Sequence, residues 1–122
     1  MKPWLLIAAI NGFVAVAAGA FGAHGLQNRL DAHALQVFET AARYQMYHAL
    51  AIGLAVFAMR GAAATPAQGA AVLFLIGIVL FSGSLYGLAL TNMRALALIT
   101  PVGGLAFLAG WIALACAAAR LS

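Results

Sequence analysis

Long apolar stretches follow one another along this chain of 122 residues, and short polar segments separate them. Residues 3–28, 61–93 and 95–119 contain no Asp, Glu, Lys or Arg. A helix needs about 20 residues to cross the hydrocarbon core of a bilayer, and each of these intervals is long enough. Polar and apolar residues do not alternate strictly, so the pattern favours membrane-spanning helices over the strands of an outer-membrane barrel.

A further apolar stretch follows Arg43, so we predict that the chain crosses the membrane four times. The joins after the second and third spans are short, and neighbouring helices must therefore run antiparallel. The predicted fold class is all-α: an integral membrane up-down four-helix bundle in a single domain that covers residues 1–122. The predicted spans are residues 3–25, 40–59, 67–90 and 95–119.

Local signals predict how the helices begin and bend. Asn28, with Asp31 at the third following position, resembles an N-cap followed by an acid. Leu35 and Phe38 are three residues apart, which predicts a short interfacial helix between spans one and two that leads directly into span two. Pro101, followed closely by two glycines, predicts a kink in the first half of span four.

The composition indicates that the bilayer is the solvent of this chain. Its residues are 66% hydrophobic and 7% charged, whereas about a quarter of the residues in a soluble domain are charged. The six Lys and Arg residues stand near the ends of the predicted spans. The net charge of the chain is +4. We interpret these basic residues as anchors at the membrane surface and not as a nucleic-acid-binding surface.

The positive charges do not decide the orientation in the membrane. Three of them, Arg29, Arg43 and Arg94, fall at one end of the predicted bundle, which we call side B. The other three fall at the opposite end, side A, so the positive-inside rule gives no preference.

Polar residues within the spans collect near side B. At 1.5 Å per residue, His48 in span two and Ser82 in span three both lie roughly 12–13 Å from that end. Polar groups at this depth avoid lipid, so we predict that they face the bundle interior and form a site for a small ligand or a lipid headgroup. The predicted ligand-binding residues are His24, Glu39, Arg43, Tyr44, Gln45, Tyr47, His48, Ser82, Ser84, Tyr86 and Thr100.

Each of these residues also has a purely structural interpretation. Hydrogen bonds from Ser, Thr, Tyr and His commonly join membrane helices, at about 0.6 kcal/mol each. Glu39 and Arg43 are four residues apart, so they can form an ion pair on one helix face. The prediction of a site depends on the meeting of these residues in one layer, not on any single residue.

Four strings of the sequence resemble a known family: residues 19–25 (GAFGAHG), 38–50 (FETAARYQMYHAL), 81–86 (FSGSLY) and 99–104 (ITPVGG), with Gly110-Trp111 after them. The chain resembles the domain of unknown function 423 family of small bacterial inner-membrane proteins, and it is similar to transmembrane protein 256 of eukaryotes. The resemblance covers nearly the whole chain. It implies four spans in the bacterial inner membrane and no established activity. The matching residues are Gly22, His24, Gly25, Thr40, Ala41, Tyr44, Gln45, His48, Ser82, Gly83, Ser84, Tyr86, Thr100, Pro101, Gly103 and Gly104.

Three functions fit these residues. An assembly, accessory or lipid-binding protein would use the small-residue faces of spans one and four to meet a membrane-protein partner or lipid. A small transporter or channel would have to form a homo-oligomer, and the uncharged Asn11 disfavours an exchanger with a carboxylate deep in span one. A haem- or metal-binding redox subunit would use His24 and His48, with Glu39 as an oxygen ligand.

No motif in the sequence predicts catalysis. Ser82 or Ser84 with His48 lacks a carboxylate at the same depth that would orient the histidine. Cys116 is the only cysteine, so the sequence holds no cysteine cluster for a metal. We predict no catalytic residues and no metal site, and the sequence identifies neither a cofactor nor a substrate.

Overall fold

The computed structural model describes residues 2–121, and this part of the chain is helical without strands. The all-α prediction is therefore confirmed. The α-helices are α1 (Lys2–His24), α2 (Ala32–Phe57), α3 (Ala64–Gly77), α4 (Gly83–Thr91) and α5 (Thr100–Ala119). A π-helical turn at Ile78–Ser82 joins α3 to α4, and 3-10 turns at Gly61–Ala63 and Arg94–Leu98 precede α3 and α5.

Three helical segments of the described chain are long and apolar enough to cross a membrane. They are Lys2–His24, Gly61–Thr91 and Arg94–Ala119. Helix α2 is not among them, because it carries the charged and polar side chains that the sequence placed near side B. The most polar of the long helices is thus also the one that holds most of the predicted site.

The N-cap of α2 lies three residues later than the predicted cap. Asp31 is the N-cap, and its carboxylate accepts a hydrogen bond of 2.7 Å from the Ala34 N–H. The prediction that Asn28 caps this helix is wrong, because residues 27–29 form a turn in which the Arg29 N–H bonds the Leu26 carbonyl. From Ala32 the helix continues unbroken to Phe57, and no separate short helix precedes it.

Pro101, where the sequence predicted a kink inside span four, lies instead in the first turn of α5, which begins at Thr100 after the 3-10 turn. A proline there removes no helical hydrogen bond, since the first N–H groups of a helix have no partner within it. Helix α4 ends at Thr91, and Asn92 adopts the left-handed conformation with φ of 59°.

Glycines allow α5 to pack closely against α3 and the π-helical turn. A Cβ atom on Gly103 would overlap the backbone nitrogen of Phe81, so only glycine fits at this crossing. A Cβ on Gly110 would lie 2.7 Å from the ring of Phe74, which is fully buried in the core. Helix α2 packs against α1 on one side and against α3 and α4 on the other.

Candidate functional site

Polar side chains of α2 point into the protein at two positions. Gln45 is 6% exposed and His48 is 4% exposed. A buried polar group in a membrane protein needs a hydrogen-bond partner, because lipid supplies none. Both residues have such partners, and each has at least one on another helix.

His48 is fixed by a hydrogen bond on each ring nitrogen. Its Nδ1 lies 2.8 Å from the Tyr44 carbonyl, and the indole N–H of Trp111 donates to its Nε2 over 3.2 Å. An indole is only a donor and a carbonyl only an acceptor, so the network assigns the neutral tautomer with the proton on Nδ1. Neither nitrogen keeps a free lone pair for a metal or a haem iron.

Aromatic rings surround the imidazole of His48. Phe107 stacks on it with ring centroids 3.5 Å apart and planes 7° apart. Trp111 meets it edge-on at 5.9 Å, and the ring of Tyr44 lies 4.9 Å from that of Phe81. These rings come from α2, α5 and the π-helical turn, so one cluster ties the three elements together.

A groove of about 430 Å³ opens over this cluster, between α2 and α5. Three of its rings are partly exposed: Tyr44 by 37%, Tyr47 by 50% and Trp111 by 41%. In the described chain, no hydrogen bond involves the hydroxyl of Tyr44 or Tyr47. We call this feature the aromatic groove, and its lining residues are Tyr44, Tyr47, His48, Phe81, Gly104, Phe107, Leu108 and Trp111.

Gln45 belongs to a different set of contacts, on the other side of α2. The Tyr86 hydroxyl donates to its amide oxygen over 2.7 Å, and its amide nitrogen donates to Asn11 over 3.0 Å. Asn11 in turn donates to the Ile7 carbonyl over 2.9 Å. This chain of hydrogen bonds joins α4, α2 and α1 and satisfies every polar side chain in it.

The predicted residues of α4 and α5 meet in a third place. The hydroxyls of Ser84 and Thr100 are 2.6 Å apart, which links the two helices. Ser82 is fully buried in the π-helical turn, and its hydroxyl has no hydrogen-bond partner among the described residues. None of the three lines the aromatic groove.

Glu39 and Arg43 lie on the exposed face of α2, beside α1. They line a shallow groove of about 410 Å³ together with Tyr47 and small residues of α1. No ion pair joins the two side chains within residues 2–121, so the predicted pair is not formed. His24 is exposed at the end of α1, where no hydrogen bond in the described chain involves its side chain.

The predicted site residues therefore fall into separate groups and not into one pocket. Tyr44, Tyr47 and His48 share the aromatic groove, whereas Gln45 and Tyr86 form an internal hydrogen-bond chain. Sequence reasoning missed the aromatic partners of His48. The sequence feature that could have indicated these partners is the spacing of Phe107 and Trp111, which are four residues apart and therefore lie on one face of α5.

A family model described as "Protein of unknown function (DUF423)" matches residues 18–104 of this chain, which include every predicted site residue. The chain belongs to this family. Relatives named UPF0382 membrane proteins resemble it over nearly their whole length. That of Staphylococcus saprophyticus is 47% identical over 93% of this chain and 94% of its own length. YwdK of Bacillus subtilis is 44% identical over 98% of both chains.

The UPF0382 inner membrane protein YgdD of Escherichia coli is 48% identical over 96% of this chain and 89% of its own length. No solved structure matches the chain. The resemblance seen in the sequence is thus confirmed, and the chain is a multi-pass protein of the bacterial inner membrane that lies in a lipid bilayer. The DUF423 family carries no assigned activity in its description, so the function must be argued from the site.

Proposed function

We propose that this protein binds a small lipid-soluble molecule with a planar ring in the aromatic groove between α2 and α5. The observation that carries the proposal is the open cluster of rings around His48. Its floor, His48 stacked on Phe107, is fixed by hydrogen bonds, while Tyr44 and Tyr47 are partly exposed at its edge. A rigid floor with accessible rings at its rim is suited to stacking against another flat molecule.

The size and position of the groove support this ligand class. Its volume of about 430 Å³ falls within the range of ligand pockets, roughly 300–1,000 Å³. Gly104 and Trp111 mark its two ends on α5, which begins at Thr100. At 1.5 Å per residue the groove lies about 6–17 Å from the start of α5, at the level of the acyl chains if α5 crosses the membrane. A molecule dissolved in the bilayer would enter it from the side.

The free hydroxyls of Tyr44 and Tyr47 supply the polar selectivity of the proposed site. The indole N–H of Trp111 donates to Nε2 of His48, and Nδ1 of His48 bonds the Tyr44 carbonyl, so these nitrogens position the floor and do not recognise polar groups of a ligand. The phenol hydroxyls can donate to or accept from a carbonyl or hydroxyl on the ring of the ligand. This arrangement narrows the ligand to a ring that carries at least one oxygen substituent.

The proposal includes four membrane crossings. Helix α2 packs between α1, α3 and α4, and its buried polar residues have partners there. Its outward residues Leu50, Leu54 and Phe57 are apolar and more than half exposed, as expected of a lipid-facing surface. With 26 residues α2 is about 39 Å long, so its first turns extend past the roughly 30 Å hydrocarbon core and form the interfacial part.

Native mass spectrometry of protein released in mild detergent tests the proposed ligand site. The wild-type chain should carry an added mass whose fragments contain a ring, and the Tyr44→Phe/Tyr47→Phe double variant should lose most of it. Tyr86→Phe is the matched control, because it removes a phenol hydroxyl outside the groove. A ring-containing adduct of equal occupancy on all three proteins, or none on any, would refute the proposal.

Association with a second copy or with a protein partner stays a prediction.

A further inference from the structure

A second cavity lies at side B, between the beginning of α2 and the connection from α4 to α5. Its volume is about 370 Å³, and it is more enclosed than the aromatic groove. Charged or polar side chains form part of its wall, and apolar side chains form the rest. We call it the interface cavity, and its lining residues are Asp31, His33, Ala34, Val37, Leu88, Ala89, Asn92, Arg94 and Ala97.

The interface cavity holds both signs of charge without neutralising them internally. One carboxylate oxygen of Asp31 accepts the Ala34 N–H, which leaves the second oxygen available. Within residues 2–121, the guanidinium of Arg94 makes no ion pair with this carboxylate, although both line the cavity. The five N–H donors of Arg94 and one carboxylate oxygen of Asp31 are therefore open to a ligand.

The position of the cavity at the edge of the bilayer restricts the ligand. Asp31 precedes the first turn of α2, and Arg94 follows the last turn of α4. Arg94 stands between two segments that are long enough to cross the membrane, and Asp31 shares its cavity, so we infer that both lie at the level of lipid headgroups. Val37, Leu88 and Ala89 give the same cavity an apolar wall. A molecule that fits both parts has a charged head and an apolar body.

We propose that the interface cavity binds a phospholipid whose headgroup joins a phosphate to a primary ammonium, as in phosphatidylethanolamine. The phosphate would bond to the guanidinium of Arg94, and the ammonium would donate to the free oxygen of Asp31. The start of an acyl chain would cover Val37 and Leu88. The proposal does not rest on the proposed ligand of the aromatic groove, because the two cavities share no residue.

The charge pattern distinguishes this lipid from other common ones. Phosphatidylglycerol offers a phosphate to Arg94 but only neutral hydroxyls to Asp31, so the carboxylate would lose water without gaining a counter-charge. Phosphatidylcholine carries a cation without an N–H, so it cannot donate a hydrogen bond to Asp31. One lost charge-assisted hydrogen bond corresponds to about a tenfold weaker affinity, and we expect that order of discrimination.

Native mass spectrometry with added dilauroyl lipids tests this proposal. The full chain in detergent is titrated with phosphatidylethanolamine, phosphatidylcholine or phosphatidylglycerol of identical acyl chains, and separately with O-phosphoethanolamine. We expect phosphatidylethanolamine to bind about tenfold more tightly than the other two lipids. Binding by free O-phosphoethanolamine as tight as that of the lipid would overturn the assignment to a lipid. Equal affinity for the three lipids would overturn the headgroup assignment.

Two variants connect the selectivity to the cavity. Arg94→Gln should weaken binding of phosphatidylethanolamine about tenfold, and Asp31→Asn should remove the preference over phosphatidylglycerol. Asparagine caps a helix about as well as aspartate, so Asp31→Asn keeps the beginning of α2 intact. Arg60→Gln removes an arginine at side A and is the control, with unchanged affinity expected. If Arg94→Gln and Arg60→Gln bind this lipid equally well, the cavity is not its site.

Discussion

At the scale of single residues, His48 connects the polar and aromatic parts of the protein. Its imidazole accepts from Trp111, bonds the Tyr44 carbonyl and stacks on Phe107. No other natural side chain offers an acceptor, a donor and a flat ring of this size together. A change at this position therefore affects α5 as well as α2.

His48→Ala should lower the free energy of unfolding by about 2 kcal/mol or more. The change opens a cavity beside Phe107 and leaves the Trp111 N–H without its acceptor. Trp111→Phe should cost only about 1 kcal/mol, because it removes the donor and keeps an aromatic edge beside Phe74. Equilibrium unfolding of both variants in mixed detergent micelles measures the difference. Equal losses for the two variants would contradict a central role for His48.

Gln45 is the middle member of the hydrogen-bond chain, and its removal should cost more than the removal of an end. Gln45→Leu leaves both Asn11 and Tyr86 without a partner side chain, so we expect a loss of about 1–1.5 kcal/mol. Tyr86→Phe breaks a single bond and should cost about 0.6 kcal/mol. The same unfolding measurement applies. A loss for Gln45→Leu no greater than that for Tyr86→Phe would show that the two bonds contribute little.

At the scale of helices, the contact of α5 with the π-helical turn depends on the absence of side chains. The backbone of residues 80 and 81 lies against Gly103, while the ring of Phe107 lies against Gly77. The π-helical turn at Ile78–Ser82 widens the third helical segment at this crossing, and Ser82 is buried there. The two helices approach as closely as they do because one of them has glycine at each point of contact.

Gly103→Ala should destabilise the protein by at least about 2 kcal/mol, since the added methyl group overlaps a backbone that cannot rotate away. Gly53→Ala is the matched control, because its added Cβ meets no atom within 4 Å. Thermal unfolding in detergent should show a lower melting temperature for the first variant and an unchanged or slightly raised one for the second. Similar melting temperatures for the two variants would contradict the close crossing.

The pattern of the sequence predicted the helices well, and their details less well. Hydrophobic length decides where a helix forms, so all the long helical segments lie close to predicted spans. The predicted cap of α2 was wrong, and α5 begins later than the predicted span, because cap and proline signals fit several neighbouring positions. The π-helical turn carries no sequence signal of its own. The backbone of Phe81 within this turn lies against Gly103 of another helix, a contact that only the fold reveals.

At the scale of the whole molecule, depth along a helix does not decide which residues touch. Tyr44 and Gln45 are adjacent in sequence and lie at the same depth, yet they face different neighbours. Successive residues of a helix point about 100° apart, and only the packing of the other helices decides what each one meets. The sequence therefore indicated a polar layer, while the division into a groove and an internal hydrogen-bond chain required the fold.

The four proposed crossings give a specific prediction for the connections between helices. If α2 crosses the membrane, Asn28 and Asn92 lie on one side and Ala62 on the other. If α2 lies on the surface, Asn28 and Ala62 share a side. All three residues are exposed and lie outside the long α-helices, so a cysteine at each should be accessible to a labelling reagent.

Single-cysteine variants in a Cys116→Ser background decide between these topologies, because Cys116 is exposed and would otherwise react. Asn28→Cys, Ala62→Cys and Asn92→Cys are labelled in intact cells with a membrane-impermeant maleimide, and each is labelled again after the membrane is opened. We expect Asn28→Cys and Asn92→Cys to react alike and Ala62→Cys to react oppositely. Matching labelling of Asn28→Cys and Ala62→Cys would place α2 on the membrane surface. Its exposed leucines would then have to pack against something other than the lipid around a crossing helix.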